Sequence, residues 1–316
     1  MSVKPLSGLP APASPVSLPA IEASPARAIK TAICLCTYRR PEMLRRLLRH
    51  LREACRLPQG IELVVADNEC SPDTAGIVRE EFPEATYIAV PEVGLSEVRN
   101  AATDTALLLG ADALAYIDDD DLPEPDWLEA LIEHQARGNF PIVFGAVQER
   151  NDKTPRNCRG TCNCLVMRWA LELIDPPYFD SRLNFVGGED ALLFERIEGA
   201  VKKAAHARAS VVQKSLQDDR YSLVGLIGRS FSQGYRHVFV SRTIHPCKGR
   251  STAAWCLRAW LKLLRALVLL PVKAWRPRAY RKVWEHLGAA AGATFALLGG
   301  RYGYYRQPPA EKKPGI

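Results

Sequence analysis

Residues 31–67 read TAICLCTYRRPEMLRRLLRHLREACRLPQGIELVVAD. The stretch opens with a short apolar run, Thr31–Thr37, and closes with a second one, Ile61–Ala66; such runs are typical of buried strands. Between them Pro41 suits a first helical position, and leucines follow at positions 44, 47, 48 and 51, which is the spacing of one buried helix face. The stretch therefore predicts a strand, a helix and a second buried strand.

The same alternation continues further along the chain. Ala85–Val90 and Ala113–Ile117 predict two more strands, and Leu95–Leu109 predicts the helix between them. Apolar strands that alternate with helices predict βαβ units, in which a Rossmann-like, mostly parallel sheet is flanked by helices.

Polar residues follow three of these predicted strands, as Thr37-Tyr38, Asp67-Asn68 and the run Asp118–Asp121. Parallel sheets bind ligands at the carboxyl ends of their strands, so we expect these clusters to form one site. The first strand is not followed by GxGxxG, and GxxxxGK[ST] does not occur in the chain. Because both phosphate cradles are missing, a metal held by carboxylates is the candidate for neutralising a diphosphate.

The run Asp118–Asp121 places four carboxyl groups side by side. In an extended segment Asp118 and Asp120 point to the same side, and two such oxygens suit Mg²⁺ or Mn²⁺. The alternative is a helix N-terminus that carries acids because the helix dipole favours them.

A second acidic pair follows two glycines, in Gly187-Gly188-Glu189-Asp190, and precedes a helical apolar pattern. One interpretation is a glycine turn with acids that cap the helix. The other is a close backbone approach at the glycines, beside a carboxylate that acts as general base on a substrate hydroxyl.

Six segments span roughly residues 30–240 in a fixed order: ICLCTYRRPEML, ELVVADN, VGLSEVRNAA, AYIDDDDLPEPDWLEAL, FVGGEDALLFERI and RSFSQG. Together they resemble the family 2 inverting glycosyltransferases of the GT-A fold, and most closely the bacterial exopolysaccharide glycosyltransferases. The resemblance implies a divalent metal, Mg²⁺ or Mn²⁺, on Asp118 and Asp120. It also implies that Asp190 is the catalytic base, with Glu189 beside it as a second catalytic residue. The residues that it implies for binding the nucleotide sugar are Thr37, Tyr38, Asp67, Asn68, Arg99, Asp119 and Arg229.

The activity implied by this resemblance is transfer of one sugar, with inversion, from a nucleotide-sugar donor, UDP-linked in our prediction. The acceptor is predicted to be a hydroxyl of a lipid-linked saccharide or glycan in exopolysaccharide or cell-surface synthesis. The QxxRW motif of processive synthases is absent, which favours addition of a single sugar. Two alternatives stay open: a catalytically silent, membrane-associated assembly partner, and a sugar nucleotidyltransferase.

Charge is distributed unevenly along the 316 residues. From Lys248 to the end there are 14 Lys or Arg and 2 acids, whereas the preceding residues hold 28 basic and 33 acidic groups. A slightly acidic body argues against nucleic acid as a partner. In the basic segment Arg258, Lys262 and Arg265 form a stripe on an otherwise apolar, tryptophan-bearing helix, and a second helix of this kind follows.

These amphipathic helices predict peripheral association with an anionic membrane surface, and the alternative is packing on the body or on a second copy. Residues 1–27 contain six prolines and no continuous apolar run, which predicts a disordered leader and no secretory signal. The nine cysteines favour reduced thiols in the cytoplasm. We thus predict a catalytic domain over residues 28–247, a membrane-associated segment over 248–316, and location on the cytoplasmic face of the inner membrane.

Overall fold

The structure is a computed structural model that describes residues 29–149, 154–201, 203–214, 222–243, 249–273 and 277–303. The predicted leader, residues 1–27, and the predicted boundary at residues 247 and 248 lie outside these described ranges.

The first part of the chain alternates strands and helices: β1 (Thr31–Thr37), α1 (Pro41–Glu53), β2 (Glu62–Asp67), α2 (Pro72–Glu81), β3 (Thr86–Ala89), α3 (Leu95–Leu108) and β4 (Ala113–Asp118). The four strands are parallel and lie in the order β3-β2-β1-β4. The predicted βαβ units are therefore confirmed, and β1 has the predicted bounds. Nearly all of β1 is buried because helices cover both faces of a parallel sheet.

The second part of the chain consists of β5 (Asp121–Pro123), α4 (Trp127–Gly138), β6 (Ile142–Gln148), β7 (Arg156–Asn157), β8 (Asn163–Met167), α5 (Arg168–Leu171), a 3-10 helix (Ser181–Leu183), α6 (Glu189–Val201) and β9 (Ala205–Lys214). These strands extend the sheet beyond β4 in the order β8-β6-β9-β5, and β7 pairs with β6. Strand β8 is antiparallel to both β4 and β6, so the sheet becomes mixed at this point. The α/β fold with a central sheet flanked by helices is confirmed.

The main core lies around this sheet. The predicted apolar face of α1 packs into it, and Leu44, Leu47, Leu48 and Leu51 are all 0% exposed. Burial of a leucine side chain contributes roughly 1.5–3 kcal/mol, so this face is a large share of what holds α1 in place.

Three helices complete the described chain: α7 (Leu223–Thr243), α8 (Gly249–Lys273) and α9 (Pro277–Leu297). The predicted C-terminal helices are thus present. Helices α7 and α9 approach closely at Gly234 and Gly292. A Cβ at either glycine would overlap backbone atoms of the other helix, so the close approach requires glycine. None of the described helices combines the length and the apolar character needed to cross a bilayer.

Candidate active site

The carboxyl ends of β1, β2 and β4 lie side by side at one edge of the sheet. In the parallel register Thr37 is paired with Asp67, and Cys36 is paired with Asp118. A cavity of about 380 Å³ opens at this edge. The predicted site residues that line it are Thr37, Tyr38, Asn68, Arg99, Asp118, Asp119 and Asp120.

Asp119 is held on the β1 side of the cavity. Its Oδ2 accepts a hydrogen bond of 2.9 Å from the Thr37 hydroxyl, and its Oδ1 accepts one of 2.9 Å from Arg40 Nη1. Burial raises the pKa of Asp119 from its ordinary 3.8 to about 6, although Arg40 and Thr37 oppose the shift. Ionised Asp119 thus depends on its two donors.

Lys214, the last residue of β9, lies among the other three aspartates. Its Nζ is 2.8 Å from Asp121 Oδ1, 3.5 Å from Asp118 Oδ2 and 3.7 Å from Asp120 Oδ1. Asp121 is fully buried, and burial raises its pKa well above the ordinary value despite Lys214. Asp118 is only partly exposed, and its partial burial also raises the pKa of its carboxyl. Lys214 and Arg99 lower that pKa by more, so the net shift is downward.

Arg99 connects this acidic cluster to the second acidic motif. Its Nη1 forms an ion pair with Glu189, and its Nη2 lies 3.3 Å from Asp118 Oδ1. The Glu189 residue is 2% exposed, and burial raises the pKa of its carboxyl although Arg99 lowers it. A buried carboxyl engaged in this way can hold Arg99 in position.

Asp190 is half-buried and occupies a different environment. Its Oδ1 accepts a 2.6 Å hydrogen bond from the Ala191 amide. Its Oδ2 lies 3.4 Å from the point where a Cβ on Gly160 would stand, and Cys158 Sγ and Cys162 Sγ lie 3.5 and 3.6 Å from that point. The two sulfur atoms are 3.1 Å apart, and their hydrogen bond lowers the pKa of Cys158 and raises that of Cys162.

The two glycines before this pair fix where α6 begins. Gly187 and Gly188 have φ values of 80° and 95°, which glycine adopts without the strain of other residues. A Cβ on Gly188 would in addition overlap the side chain of Arg236. The turn therefore requires glycine, and it places Glu189 and Asp190 in the first turn of the helix.

Comparison with known proteins agrees with this geometry. Residues 32–213, more than half of the chain, match the family model described as "Glycosyl transferase family 2". The chain belongs to glycosyl transferase family 2. A relative from Rhizobium meliloti (strain 1021), succinoglycan biosynthesis protein ExoM, is 32% identical over 231 residues, which cover 65% of this chain and 73% of that protein.

Two solved structures are similar to this family 2 chain in fold. The mannosyltransferase PcManGT from Pyrobaculum calidifontis, in complex with GDP-Man and Mn²⁺, has a TM-score of 0.62 at 16% identity, over 86% of this chain and 88% of its own. Residues 1–349 of TarS from S. aureus give a TM-score of 0.51 at 13% identity, over 86% of this chain and 93% of that one. At these identities the likeness concerns the fold.

The acidic cluster of this glycosyltransferase has donors that fit a divalent cation. Among the described residues, Asp118, Asp121 and Cys162 each offer a ligand atom, and these atoms all lie within 4.8 Å of one another. Asp121 Oδ2 is buried and accepts no hydrogen bond from the described residues, so its lone pairs are available to coordinate a cation. The predicted partner Asp120 lies outside this group, with its Oδ2 3.6 Å from Arg40.

Two predicted nucleotide contacts, Asp67 and Asn68, form hydrogen bonds with other groups of the protein. The Asp67 carboxylate is buried and accepts hydrogen bonds from the amides of Glu69 and Ser71 and from the Tyr87 hydroxyl, at 2.8–2.9 Å. Asn68 Nδ2 donates hydrogen bonds to the carbonyls of Val90 and Glu92, and Asn68 Oδ1 accepts one from the Gly94 amide. Arg229 lies elsewhere, on the wall of a second cavity formed with α7, α8 and α9.

Three polar side chains that line the cavity, those of Arg40, Asn184 and Lys214, were not predicted from sequence. Arg40 lies within the segment ICLCTYRRPEML, and its position after β1 was the available signal. Asn184 caps α3, since its Oδ1 accepts a 2.8 Å hydrogen bond from the Ser96 amide. Lys214 ends a ten-residue strand whose buried positions are irregularly spaced, so the apolar pattern gives little sign of the side that it faces.

Proposed function

We propose that this protein is a metal-dependent, inverting glycosyltransferase that moves one sugar from a UDP-linked donor to a hydroxyl of a lipid-linked saccharide or glycan acceptor. We place this reaction in exopolysaccharide or cell-surface synthesis. The name of the relative ExoM supports the pathway class, and the GDP-Man and Mn²⁺ bound by PcManGT support a nucleotide sugar and a divalent metal.

The observation that carries the proposal is the placing of two acidic groups around Cys162. Its sulfur is within 4.8 Å of ligand atoms of Asp118 and Asp121. The sulfur and Asp190 Oδ2 also lie 3.6 Å and 3.4 Å from the position that a Cβ on Gly160 would occupy. A site for the diphosphate and a half-buried carboxylate are thus neighbours, which is what a direct displacement requires.

In this mechanism Asp190 accepts the proton of the acceptor hydroxyl, whose oxygen attacks the anomeric carbon from the face opposite the nucleotide. The bond from that carbon to the diphosphate breaks, so an α-linked donor gives a β-linkage. A divalent cation held by Asp118, with Asp120 or Asp121, would stabilise the charge of the leaving diphosphate. Arg99 orients Asp118, and Glu189 keeps Arg99 in place through their buried ion pair.

On the donor side, the nucleotide is proposed to lie against Thr37, Tyr38 and Asn68, which share the cavity with Asp118 and Asp119. Asp67 stays a predicted nucleotide contact, and it supports the loop that carries Asn68 through its hydrogen bonds to backbone amides.

The test compares Asp190→Asn with Glu195→Gln, an exposed acid further along the same helix. We expect Asp190→Asn to bind UDP as the wild type does and to lose about 10²–10⁴-fold in transfer rate, because base catalysis contributes that much. Nucleotide release is measured with UDP- and GDP-linked donors, Mn²⁺ and a bacterial lipid extract as acceptor. Near-normal transfer by Asp190→Asn, or an equal loss in the control, would refute the assignment of the base.

We also infer a peripheral position at a membrane, to which the C-terminal helices would attach the enzyme. Support comes from α8, where Leu257, Leu261, Leu264 and Val268 are 53–66% exposed and recur at helical spacing. An apolar face of this kind, next to lysines and arginines on the same helix, suits the interface of an anionic bilayer.

A further inference from the structure

A second and larger cavity lies beside the catalytic segment. Its volume is about 710 Å³, and its walls come mainly from α7, α8 and α9, with Gly187 at one side. Cavities of this size hold small-molecule ligands. Close contact of α7 and α9 through Gly234 and Gly292 keeps these two walls in fixed positions.

The lining of this cavity is strongly basic. It includes six Lys or Arg side chains and two Glu, so positive charges exceed negative ones by four. Both glutamates are engaged within the chain: Glu149 lies 3.5 Å from Arg156, and Glu285 lies 3.0 Å from Arg281. Neither glutamate is therefore available to balance the other cations.

Three of the remaining cations, Arg236, Arg258 and Lys262, have no carboxylate within 4.0 Å in the part of the chain that the structure describes. His286, which also lines the cavity, has its pKa lowered by burial and then by Lys262. Like charges around one cavity repel each other, and a bound anion removes that repulsion.

The cavity lies next to the turn that carries the proposed base. Asn184 and Phe185 line the smaller, acid-lined cavity, whereas Gly187 lines the basic one, so this short segment separates the two. Asp190, the proposed base, follows three residues after Gly187. A group bound in the basic cavity would thus lie beside the turn that carries the base, and apart from the donor's diphosphate.

Next to the cavity, α8 presents its exposed apolar face. Arg258 and Lys262 line the cavity, and the residues directly before them, Leu257 and Leu261, are 61% and 53% exposed. One helix thus offers cations toward the cavity and hydrocarbon toward solvent. A lipid with a phosphorylated head matches both surfaces, since a phosphate pairs with Arg and Lys while the chain covers the leucines.

We propose that the basic cavity binds the diphosphate of a lipid-linked acceptor, with Arg236, Arg258 and Lys262 as its contacts and the lipid chain along α8. This inference rests on the proposed transfer to such an acceptor and names the site that recognises it.

The experiment measures binding of farnesyl diphosphate by calorimetry in EDTA, so that the acid-lined cavity keeps its negative charge. The cavity pair, Arg258→Gln/Lys262→Gln, removes two charges from the cavity. The control pair, Arg265→Gln/Lys282→Gln, removes two exposed charges that do not line it. We expect a loss of affinity of about ten- to a hundredfold in the first pair, since a hydrogen bond to a charged group contributes that order. Less than twofold is expected in the control pair.

Further probes separate the sources of the anion. Pyrophosphate should bind more weakly than farnesyl diphosphate, and its affinity should fall by the same factor in the cavity pair. The affinity for farnesol should be unchanged in both double variants. Equal losses in the two pairs would overturn the proposal in favour of net charge alone. Vesicles of phosphatidylglycerol that bind with dependence on the cavity pair, while farnesyl diphosphate does not bind, would overturn it in favour of a membrane headgroup.

A separate titration of UDP with Mn²⁺ distinguishes failure of the inference from failure of the proposed function. Both double variants should bind UDP as the wild type does, which also shows that they are folded. Wild-type protein that does not bind UDP would contradict the proposed donor site. If UDP binds normally and the affinity for farnesyl diphosphate is the same in the cavity pair as in the wild type, only the proposed acceptor site is contradicted.

Discussion

Replacing Arg99 by methionine removes one partner of a buried ion pair and leaves the other in place. Arg99 is 7% exposed and Glu189 is 2% exposed, and the guanidinium is in direct contact with the carboxylate. Glu189 Oε2 already has no hydrogen-bond partner among the described residues. In Arg99→Met the Glu189 carboxyl therefore loses the cation that balances its burial.

Loss of one partner of a buried pair costs about 3–5 kcal/mol, and we expect the free energy of unfolding to fall by that amount at pH 7. In Arg99→Met/Glu189→Leu the buried Glu189 charge is removed as well, and Asp118 keeps Lys214 3.5 Å away, so most of the loss should be recovered. As a control, Arg137→Met breaks an exposed pair with Glu133, 3.2 Å apart, and should cost less than about 1 kcal/mol.

The deficit of Arg99→Met should also depend on pH. Burial raises the pKa of Glu189 above its ordinary 4.5, and without Arg99 that pKa rises further. Above pH 4.5 the folded variant therefore holds a proton that the unfolded chain has released, so stability falls as the pH rises toward the folded pKa. Urea unfolding at pH 5 and pH 8 measures the free energy of unfolding at two points of this range. If Arg99→Met is destabilised by less than about 1 kcal/mol, or if the double variant is as unstable as Arg99→Met, the reasoning is refuted.

Three further predictions concern the metal, the buried lysine and the membrane. Asp121→Asn should weaken Mn²⁺ binding more than about tenfold, and more than Asp120→Asn does, in titrations followed by electron paramagnetic resonance; the reverse order would favour Asp120 as the ligand. Lys214→Met should lower the free energy of unfolding by about 3–5 kcal/mol in EDTA, and Mn²⁺ should restore part of it because the aspartates regain a cation; a loss that Mn²⁺ leaves unchanged would contradict this role. Leu264→Glu/Val268→Glu should abolish flotation with phosphatidylglycerol vesicles, because carboxylates enter the apolar face of α8; flotation equal to the wild type would argue against that face as the contact.

The parallel half of the sheet was predictable because its strands are buried on both faces. Such strands form continuous apolar runs, and Thr31–Thr37 has the predicted bounds. The polar residues that follow the runs then mark the edge where ligands bind, and this rule alone assigns Thr37 and Asp118 to one site, where both line the same cavity.

The cations of the site could not be predicted in the same way, because tertiary contacts bring them in from far along the chain. Lys214 reaches Asp121 across 93 positions. Its orientation depends on how β9 pairs with β6, and that register shifts between Phe144 and Ala146. A shift of one residue turns every following side chain to the other face of the sheet, so periodicity alone does not fix where Lys214 points.

The stripe Arg258, Lys262 and Arg265 shows a similar limit at the helical level. The sequence places all three on one side of α8, but only the first two line the basic cavity. Helical spacing gives the face of a residue, whereas the packing of α7 and α9 against α8 decides which part of that face borders a cavity.

The charges around the smaller cavity explain why a diphosphate would need an added cation. Around it lie five carboxyl groups and three cationic side chains, namely Asp118, Asp119, Asp120, Asp121 and Glu189 against Arg40, Arg99 and Lys214. Each of these cations is already within 4.0 Å of a carboxylate, so none is left over for a phosphate. Burial raises the pKa of Asp119 to about 6 and raises those of Asp121 and Glu189, which shows that the cluster holds its negative charge at a cost. With all five carboxyl groups ionised the excess is two negative charges, which a divalent cation would cancel while leaving its open coordination positions to the donor, so we expect metal and nucleotide to bind cooperatively.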